Sequence, residues 1–371
     1  MQNKTTTRSV IRSDIMAMHA YVVQDSKGYV KLDAMENPYT LSAALQAELG
    51  KRLAAIEVNR YPGQRIHDLQ NALAHYCNLP ENYSLILGNG SDELISLLAI
   101  AIDQPGASIM APLPGFVMYE MSAKIQGVEF IGIELDADFE LDVDTMLQAI
   151  HTHQPALVYL AYPNNPTANL WSDEAMHSII QACEMVGSLV VIDEAYINFS
   201  KQKSFVQSLI DYPNLVVLQT LSKAWGLAGL RLGMCFASPQ MIGYLNKVKA
   251  PYNINIVTQE LALQALDEVG QVNDMIKLLV DMRIALAEVI GSMPHVIQVF
   301  PSDTNFILVK IPKARQLYEY LLSQGIIVRD RSALELCEDS LRITVGTEQE
   351  NTLLVDAMYE WITNTFELTL N

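Results

Sequence analysis

The segments SLVVIDEAYINF (188–199) and NLVVLQTLSKAWGLAGLRLG (214–233) decide how this chain is read. Each opens with a short run of consecutive Val and Leu residues and ends on polar groups. These are Asp193 in the first, and Thr220, Ser222 and Lys223 in the second, with Arg231 eight residues beyond Lys223. Strands that are apolar on both faces belong to a mostly parallel sheet covered by helices on both sides, an α/β fold. In such sheets ligands sit at the carboxyl ends of the strands, so Asp193 and Lys223 are expected to converge there. A carboxylate ending an apolar strand is costly unless paired, and a nearby cation would relieve it. Taken alone, Lys223 also reads as a solvated charge, and Asp193 reads equally well as a helix N-cap or a surface turn.

The same pattern extends outward from these segments. A helix is predicted over Leu41 to Ile56, where Leu45, Leu49, Leu53 and Ile56 share one face, and it ends before the loop Arg60-Tyr61-Pro62-Gly63. SLIL (84–87) and ALVYLAY (156–162) read as further strands separated by helical segments. A helical stretch near Val272 to Ile290 leads into TNFILVK (304–310), GIIVRD (325–330) and LRITVG (341–346), which read as a smaller α+β region. With 371 residues the chain is long enough for two cores. The predicted organisation is an N-terminal arm (1–40), a large domain (41–265) and a small C-terminal domain (266–371).

Bulk properties narrow the function classes. Basic residues number 24 against 42 acidic ones, a net charge of −18, and that field repels nucleic acid and anionic lipid alike. An anionic ligand would need locally concentrated Arg and Lys. The longest near-continuous apolar run, Leu94 to Ile102, is interrupted by Ser96 and is far short of the ~18 to 20 residues that cross a bilayer. The opening MQNKTTTRSVIRSD lacks the apolar core of a secretion signal, so a soluble cytoplasmic enzyme is expected. Cys77, Cys183, Cys235 and Cys337 are scattered, without CxxC or His spacing for a zinc site, and read as small core residues.

Two more motifs carry chemistry. The 156–162 strand runs into PNNPTAN, whose Pro163 and Pro166 stiffen a turn and leave the Asn165 amide free to face a ligand. LILGNGSDELISLLAIA is a strand, a glycine loop and a helix starting at Ser91 and Asp92. The free N–H groups of such a helix start can take a phosphate, with Gly88 and Gly90 allowing close approach. Capping by Ser91 accounts for the same pattern.

In the order GSDE, PNNPTA, IDEAY, LSKAWGLAGLR, the chain resembles the fold type I, class II pyridoxal-phosphate (PLP) aminotransferases, over almost its whole length. The segments DAMENPY (33–39), NRYPG (59–63), APYNIN (250–255), TNFIL, GIIVRDRS (325–332) and LRITVGT (341–347) make it most similar to the histidinol-phosphate aminotransferase family. Ala168 stands where that pattern has glycine after NNPT, and Tyr61-Pro62-Gly63 where it has Tyr-Pro-Asp. The resemblance implies that Lys223 holds PLP as a Schiff base and shuttles a proton, and that Asp193 pairs with the pyridinium nitrogen. Tyr196 and Asn165 would bond the phenolate oxygen, and Tyr119 would lie against the ring face. Ser91, Asp92, Thr220, Ser222 and Arg231 would hold the phosphate, joined by Tyr61 from the second subunit of a homodimer. Arg329 and Arg342 would bind the anionic ends of the substrates, with Tyr21 and Asn37 at the entrance.

The activity so implied is amino transfer between L-histidinol phosphate with 2-oxoglutarate and imidazole-acetol phosphate with L-glutamate, in histidine biosynthesis. The cofactor motifs leave two relatives open, an aromatic aminotransferase and a decarboxylase of a phosphorylated amino acid. A PLP-binding regulator would need an added DNA-binding domain and a basic surface, for which neither length nor charge is present.

Overall fold

The computed structural model describes residues 10–18, 20, 25–63 and 65–367. Among the described residues there are thirteen strands: β1 (Val30–Lys31), β2 (Ser84–Asn89), β3 (Ser108–Leu113), β4 (Glu129–Glu134), β5 (Leu157–Ala161), β6 (Leu189–Asp193), β7 (Leu215–Thr220), β8 (Leu232–Ala237), β9 (Gln298–Val299), β10 (Phe306–Lys310), β11 (Ile326–Ile327), β12 (Arg329–Asp330) and β13 (Ser340–Thr344). The large sheet runs β2-β8-β7-β6-β5-β3-β4. Its β7-β6-β5-β3-β4 block is parallel, and β8 inserts antiparallel to both β2 and β7.

Why these strands read as unbroken apolar runs is visible in how their side chains sort. Tyr159, Val191 and Leu218 face one layer, under helices Ser91–Ile102 and Val117–Gln126; Val158, Leu160, Val190, Ile192 and Val217 face the other, under Asp173–Val186. Both faces being covered, period-2 alternation of polarity disappears while the period-2 alternation of direction remains. Full burial of each such side chain contributes roughly 1.5–3 kcal/mol, and a single polar replacement inside β5, β6 or β7 would break the layer. The same alternation fixes the polar residues that follow. Asp193 points to the layer of Val191, and Glu194 to the opposite one.

Three strand ends lie side by side. Ala161 of β5 is in register with Asp193 of β6, and Asp193 with Leu218 of β7, two residues before Thr220. In the C-terminal part, β12-β13-β10-β9 form an antiparallel sheet, and the long helix Val269–Gly291 contacts β9 and β10. The run expected as one strand at 325–330 is two: β11 pairs in parallel with β1, and after Val328 the chain switches partners so that β12 pairs with β13. Residues 30–31 are therefore attached to the C-terminal part. The first predicted helix forms at Ala43–Ala54, where the Ser42 hydroxyl caps the Leu45 N–H and delays the start by two residues. All four cysteines are buried and free. Among the described residues no helix is long and apolar enough to cross a membrane, and no group of three His, Cys, Asp or Glu side chains could hold a metal.

Candidate active site

One cavity at the carboxyl ends of β5, β6 and β7 gathers Ser91, Asp92, Tyr119, Asn165, Asp193, Tyr196, Thr220, Ser222, Lys223 and Arg231. These ten residues, expected from the sequence, come from five separate stretches of chain.

The first wall is the start of the helix at Ser91. Gly90 precedes it at φ 83° and ψ 166°, a backbone region essentially closed to residues with a side chain. The space a Cβ would need there is taken by the Arg231 guanidinium, whose Nη2 is the nearest atom. On the other side, a Cβ on Gly233 would come within 2.5 Å of the Ser91 N. Both glycines thus let Arg231 and the Ser91 N–H close on one point. Arg231 Nη2 also lies 3.4 Å from Asp92 Oδ2. On the β7 side, Thr220 Oγ1 lies 3.1 Å from the Leu232 carbonyl and 3.0 Å from Ser222 Oγ and accepts the Ser222 N–H at 3.1 Å, which ties the two hydroxyls together.

Lys223 follows directly. Its Nζ donates to the Ala34 carbonyl at 2.9 Å and stands 5.9 Å from the Tyr196 ring centroid. Desolvation pulls this ammonium down to about 8, the positive Arg342 and Arg231 act in the same sense, and Glu36 and Asp92 oppose them. Asp193 accepts the Tyr119 hydroxyl at 2.9 Å on Oδ2 and the Ala195 N–H at 3.1 Å on Oδ1. Burial pushes its carboxyl up to about 6, while the Tyr119 bond, the Ala195 N–H and Lys223 hold it down against the field of Asp92.

The opposite wall comes from the turn after β5 and from the C-terminal sheet. Asn165 Nδ2 lies 3.5 Å from the Tyr196 hydroxyl, and its Oδ1 accepts from Arg342 Nη1 at 2.6 Å. Arg342, buried on β13, also donates to the Asp33 carbonyl at 2.8 Å. Arg329 on β12 is directly opposite Arg342 in the strand register. Asn37 Nδ2 reaches the Ala224 carbonyl, next to Lys223, at 3.2 Å. Neither arginine nor Asn37 lines the cavity. Arg342 touches Asn165, which does, Asn37 touches the chain neighbour of Lys223, and Arg329 stands one step further out, beside Arg342.

One expected residue is placed elsewhere. Tyr61 is 82% exposed and stacks on Tyr252 with ring centroids 4.9 Å apart, away from the cavity of its own chain. Tyr21 lies outside the described residues. Tyr119, expected against a ring, has one face stacked on Tyr159 at 4.3 Å and 3°, with its hydroxyl committed to Asp193. Phe116, one helical turn earlier, lines the cavity and meets Tyr119 edge-on at 5.5 Å. The sequence reading passed over Phe116 and also Met35. Only the spacing of three in Phe116-Val117-Met118-Tyr119, at a helix start that puts both rings on one face, could have signalled the first. Met35 sits at φ 53° with its N–H on Thr344 Oγ1 and its carbonyl on Asn305 Nδ2, a conformation no local pattern announces.

Residues 27–358 match the family model for aminotransferase class I and II. A histidinol-phosphate aminotransferase of Methylibium petroleiphilum is 48% identical over 349 residues, 94% of this chain and 93% of the relative. One of Polaromonas naphthalenivorans is 47% identical over 95% of this chain and 96% of its own length. Among solved structures, the histidinol-phosphate aminotransferase of Sinorhizobium meliloti in complex with pyridoxal-5'-phosphate shares the fold at a TM-score of 0.85 and 24% identity, over 97% of this chain and 99% of the other. A decarboxylase from Sulfurospirillum multivorans is similar at 0.78 and 27%, over 90% and 88%. With its lysine, carboxylate and arginine set at the strand ends of a sheet of this topology, the chain belongs to the class I and II aminotransferases.

Proposed function

We propose that this chain transfers an amino group from L-histidinol phosphate to 2-oxoglutarate with PLP as its cofactor, a step of histidine biosynthesis. The observation that carries the reading is the convergence of Lys223, Asp193, Asn165, Tyr196 and Arg231 in one cavity, in a chain whose relatives at 43–48% identity are histidinol-phosphate aminotransferases. The cavity fits the cofactor. A phosphate suits the notch where Gly90 and Gly233 leave room for the Ser91 N–H and the Arg231 guanidinium, and a pyridine nitrogen suits the buried Asp193.

When bound, PLP supplies an aldehyde that captures amines and a ring that takes up electrons from the substrate α-carbon. Lys223 Nζ, with its ammonium held near 8, is neutral often enough at neutral pH that it would hold the cofactor through that aldehyde, and its free amine would carry the α-proton. Asp193 would keep a proton on the ring nitrogen. Tyr196 and Asn165, whose polar ends lie 3.5 Å apart, would donate to the phenolate oxygen, Phe116 presents its ring as the cavity wall, and Thr220, Ser222, Ser91 and Asp92 complete the phosphate end. Arg342, through Asn165, and Arg329, its register neighbour, supply positive charge for the substrate phosphate or carboxylate.

The working unit in this reading is a cytoplasmic homodimer with residues 266–371 and the N-terminal arm forming the small domain. Tyr61 reaches the partner's phosphate site, which its exposure and its distance from the cavity of its own chain support. Borohydride reduction of PLP-loaded protein followed by peptide mapping tests the cofactor assignment. A pyridoxyl label on Lys223, with glutamate formed from histidinol phosphate and 2-oxoglutarate, is expected. A label on any other lysine sinks it.

A further inference from the structure

The buried hydroxyl of Tyr119 has no direct task in this scheme. It is 2% exposed, yet it is aimed at Asp193 Oδ2 at 2.9 Å from a helix on the layer that covers that side of β6. Its ring is clamped parallel to Tyr159 at 4.3 Å, and Phe116 meets it edge-on, so the hydroxyl has little freedom to turn elsewhere. A carboxylate has about four acceptor positions. Tyr119 and the Ala195 N–H occupy one on each oxygen, which leaves both oxygens with acceptor capacity toward the cavity.

We propose that Tyr119 is a positioning residue that holds Asp193 ionised and oriented, and thereby sets how much positive charge the ring nitrogen of the bound cofactor carries. The inference rests on the reading of the cavity as a PLP site. Its physical basis is the burial of Asp193. A carboxylate shut away from water favours its neutral form, and a neutral acid cannot hold a proton on a pyridine. The charged groups that bear on Asp193 pull both ways: Lys223 from the loop after β7 favours ionisation, while Asp92 on the Ser91 helix and the adjacent Glu194 disfavour it. A neutral donor fixed on the carboxylate tips that balance without adding a charge. Burial and the neighbouring carboxylate drive the Tyr119 phenol well above its ordinary range, so it stays protonated and remains a donor at every working pH.

The test uses the PLP-loaded full chain and follows the pH midpoint of its visible absorption band. Tyr119→Phe keeps the ring stack and removes only the hydroxyl. With less positive charge on the ring, the bond to Lys223 gains basicity, so the midpoint should rise by about 0.5 to 1 pH unit, and release of PLP should quicken about tenfold. Asp193→Asn should move the midpoint further in the same direction. Adding Tyr119→Phe to Asp193→Asn should then move it no more, because the hydroxyl acts only through the carboxylate. A midpoint in Tyr119→Phe equal to that of the parent overturns the proposal, and so does a shift that persists undiminished in the Asp193→Asn background. If the parent itself shows no visible band and no reducible link at Lys223, the PLP reading fails and takes this inference with it.

Discussion

Gly90→Ala is the sharpest perturbation of the phosphate end, because the structure separates its effect on the fold from its effect on the cofactor. At φ 83° and ψ 166° an alanine is strained by about 1 to 3 kcal/mol, which should appear as a matching loss of stability in the cofactor-free protein. Its Cβ would also run into Arg231 Nη2, and Cζ would be 3.1 Å away. These atoms are the free end of a long side chain that is about half exposed, so the guanidinium yields and swings out of the notch. Losing a charge-assisted contact to a phosphate costs about 1.5 to 3 kcal/mol, or roughly 10- to 100-fold in the PLP dissociation constant. Gly88→Ala is the control: its Cβ would meet Leu94 Cγ at 2.6 Å, a core side chain, so it should lower stability without displacing Arg231. Urea unfolding of the cofactor-free proteins and titration with PLP read the two effects separately. If folded Gly90→Ala binds PLP as tightly as the parent, Arg231 does not hold the phosphate. The same conclusion follows if Gly90→Ala weakens binding equally in an Arg231→Ala background.

Three further outcomes follow from the same geometry. With Lys223 held near 8 against an ordinary 10.5, its neutral fraction falls tenfold per pH unit below 8, so the rate of PLP reattachment to the apoprotein should rise with pH and level off above about 8 in stopped-flow absorbance. Glu194 is raised to about 7 from an ordinary 4.5, first by burial, and it accepts Ser204 Oγ, Gln219 Nε2 and the Phe205 N–H. Between pH 4.5 and 7 the native state holds a proton that the unfolded chain has released, so stability should fall as pH rises through that window. Glu194→Gln should flatten the slope and, by turning an amide N–H against a donor, cost about 1 to 3 kcal/mol at pH 8 in urea unfolding. Finally, mixed Tyr61→Ala and Lys223→Ala subunits should regain activity through hybrid dimers carrying one intact site; hybrids that form and stay inactive would show that Tyr61 does not act in trans.

Much of the site was legible in the sequence because the polar residues that matter are anchored to apolar strand ends. Asp193, Thr220 and the turn after Ala161 had to converge once β5, β6 and β7 were neighbours, and the register brings Ala161 and Asp193 level. Three features were not legible. The reversal of β8, antiparallel between β2 and β7, leaves no trace in a strand that is apolar on both faces in either direction. The partner switch at Val328 splits one apolar run into two pairings, and periodicity cannot see partners. The roles of Phe116 and Tyr119 depend on which ring of a helix start faces the cavity and which faces Tyr159, a question of roughly 60° of helix rotation that residue type alone does not decide. Ala168 shows the reverse case. Its departure from the expected glycine is a real conformational demand, since it sits at φ 72°. Its buried methyl offsets part of that strain, which is how an alanine is tolerated there.

The central claim is that the charged and hydrogen-bonding groups around Lys223 serve a phosphorylated amine without an α-carboxylate. Steady-state kcat/KM with 2-oxoglutarate as acceptor, measured for histidinol phosphate, phenylalanine and phosphothreonine as donors, tests it most directly. Histidinol phosphate should be preferred over phenylalanine by at least about 100-fold, the worth of one charge-assisted phosphate contact, and phosphothreonine should release no carbon dioxide. Equal use of phenylalanine, or decarboxylation of phosphothreonine, would contradict the account.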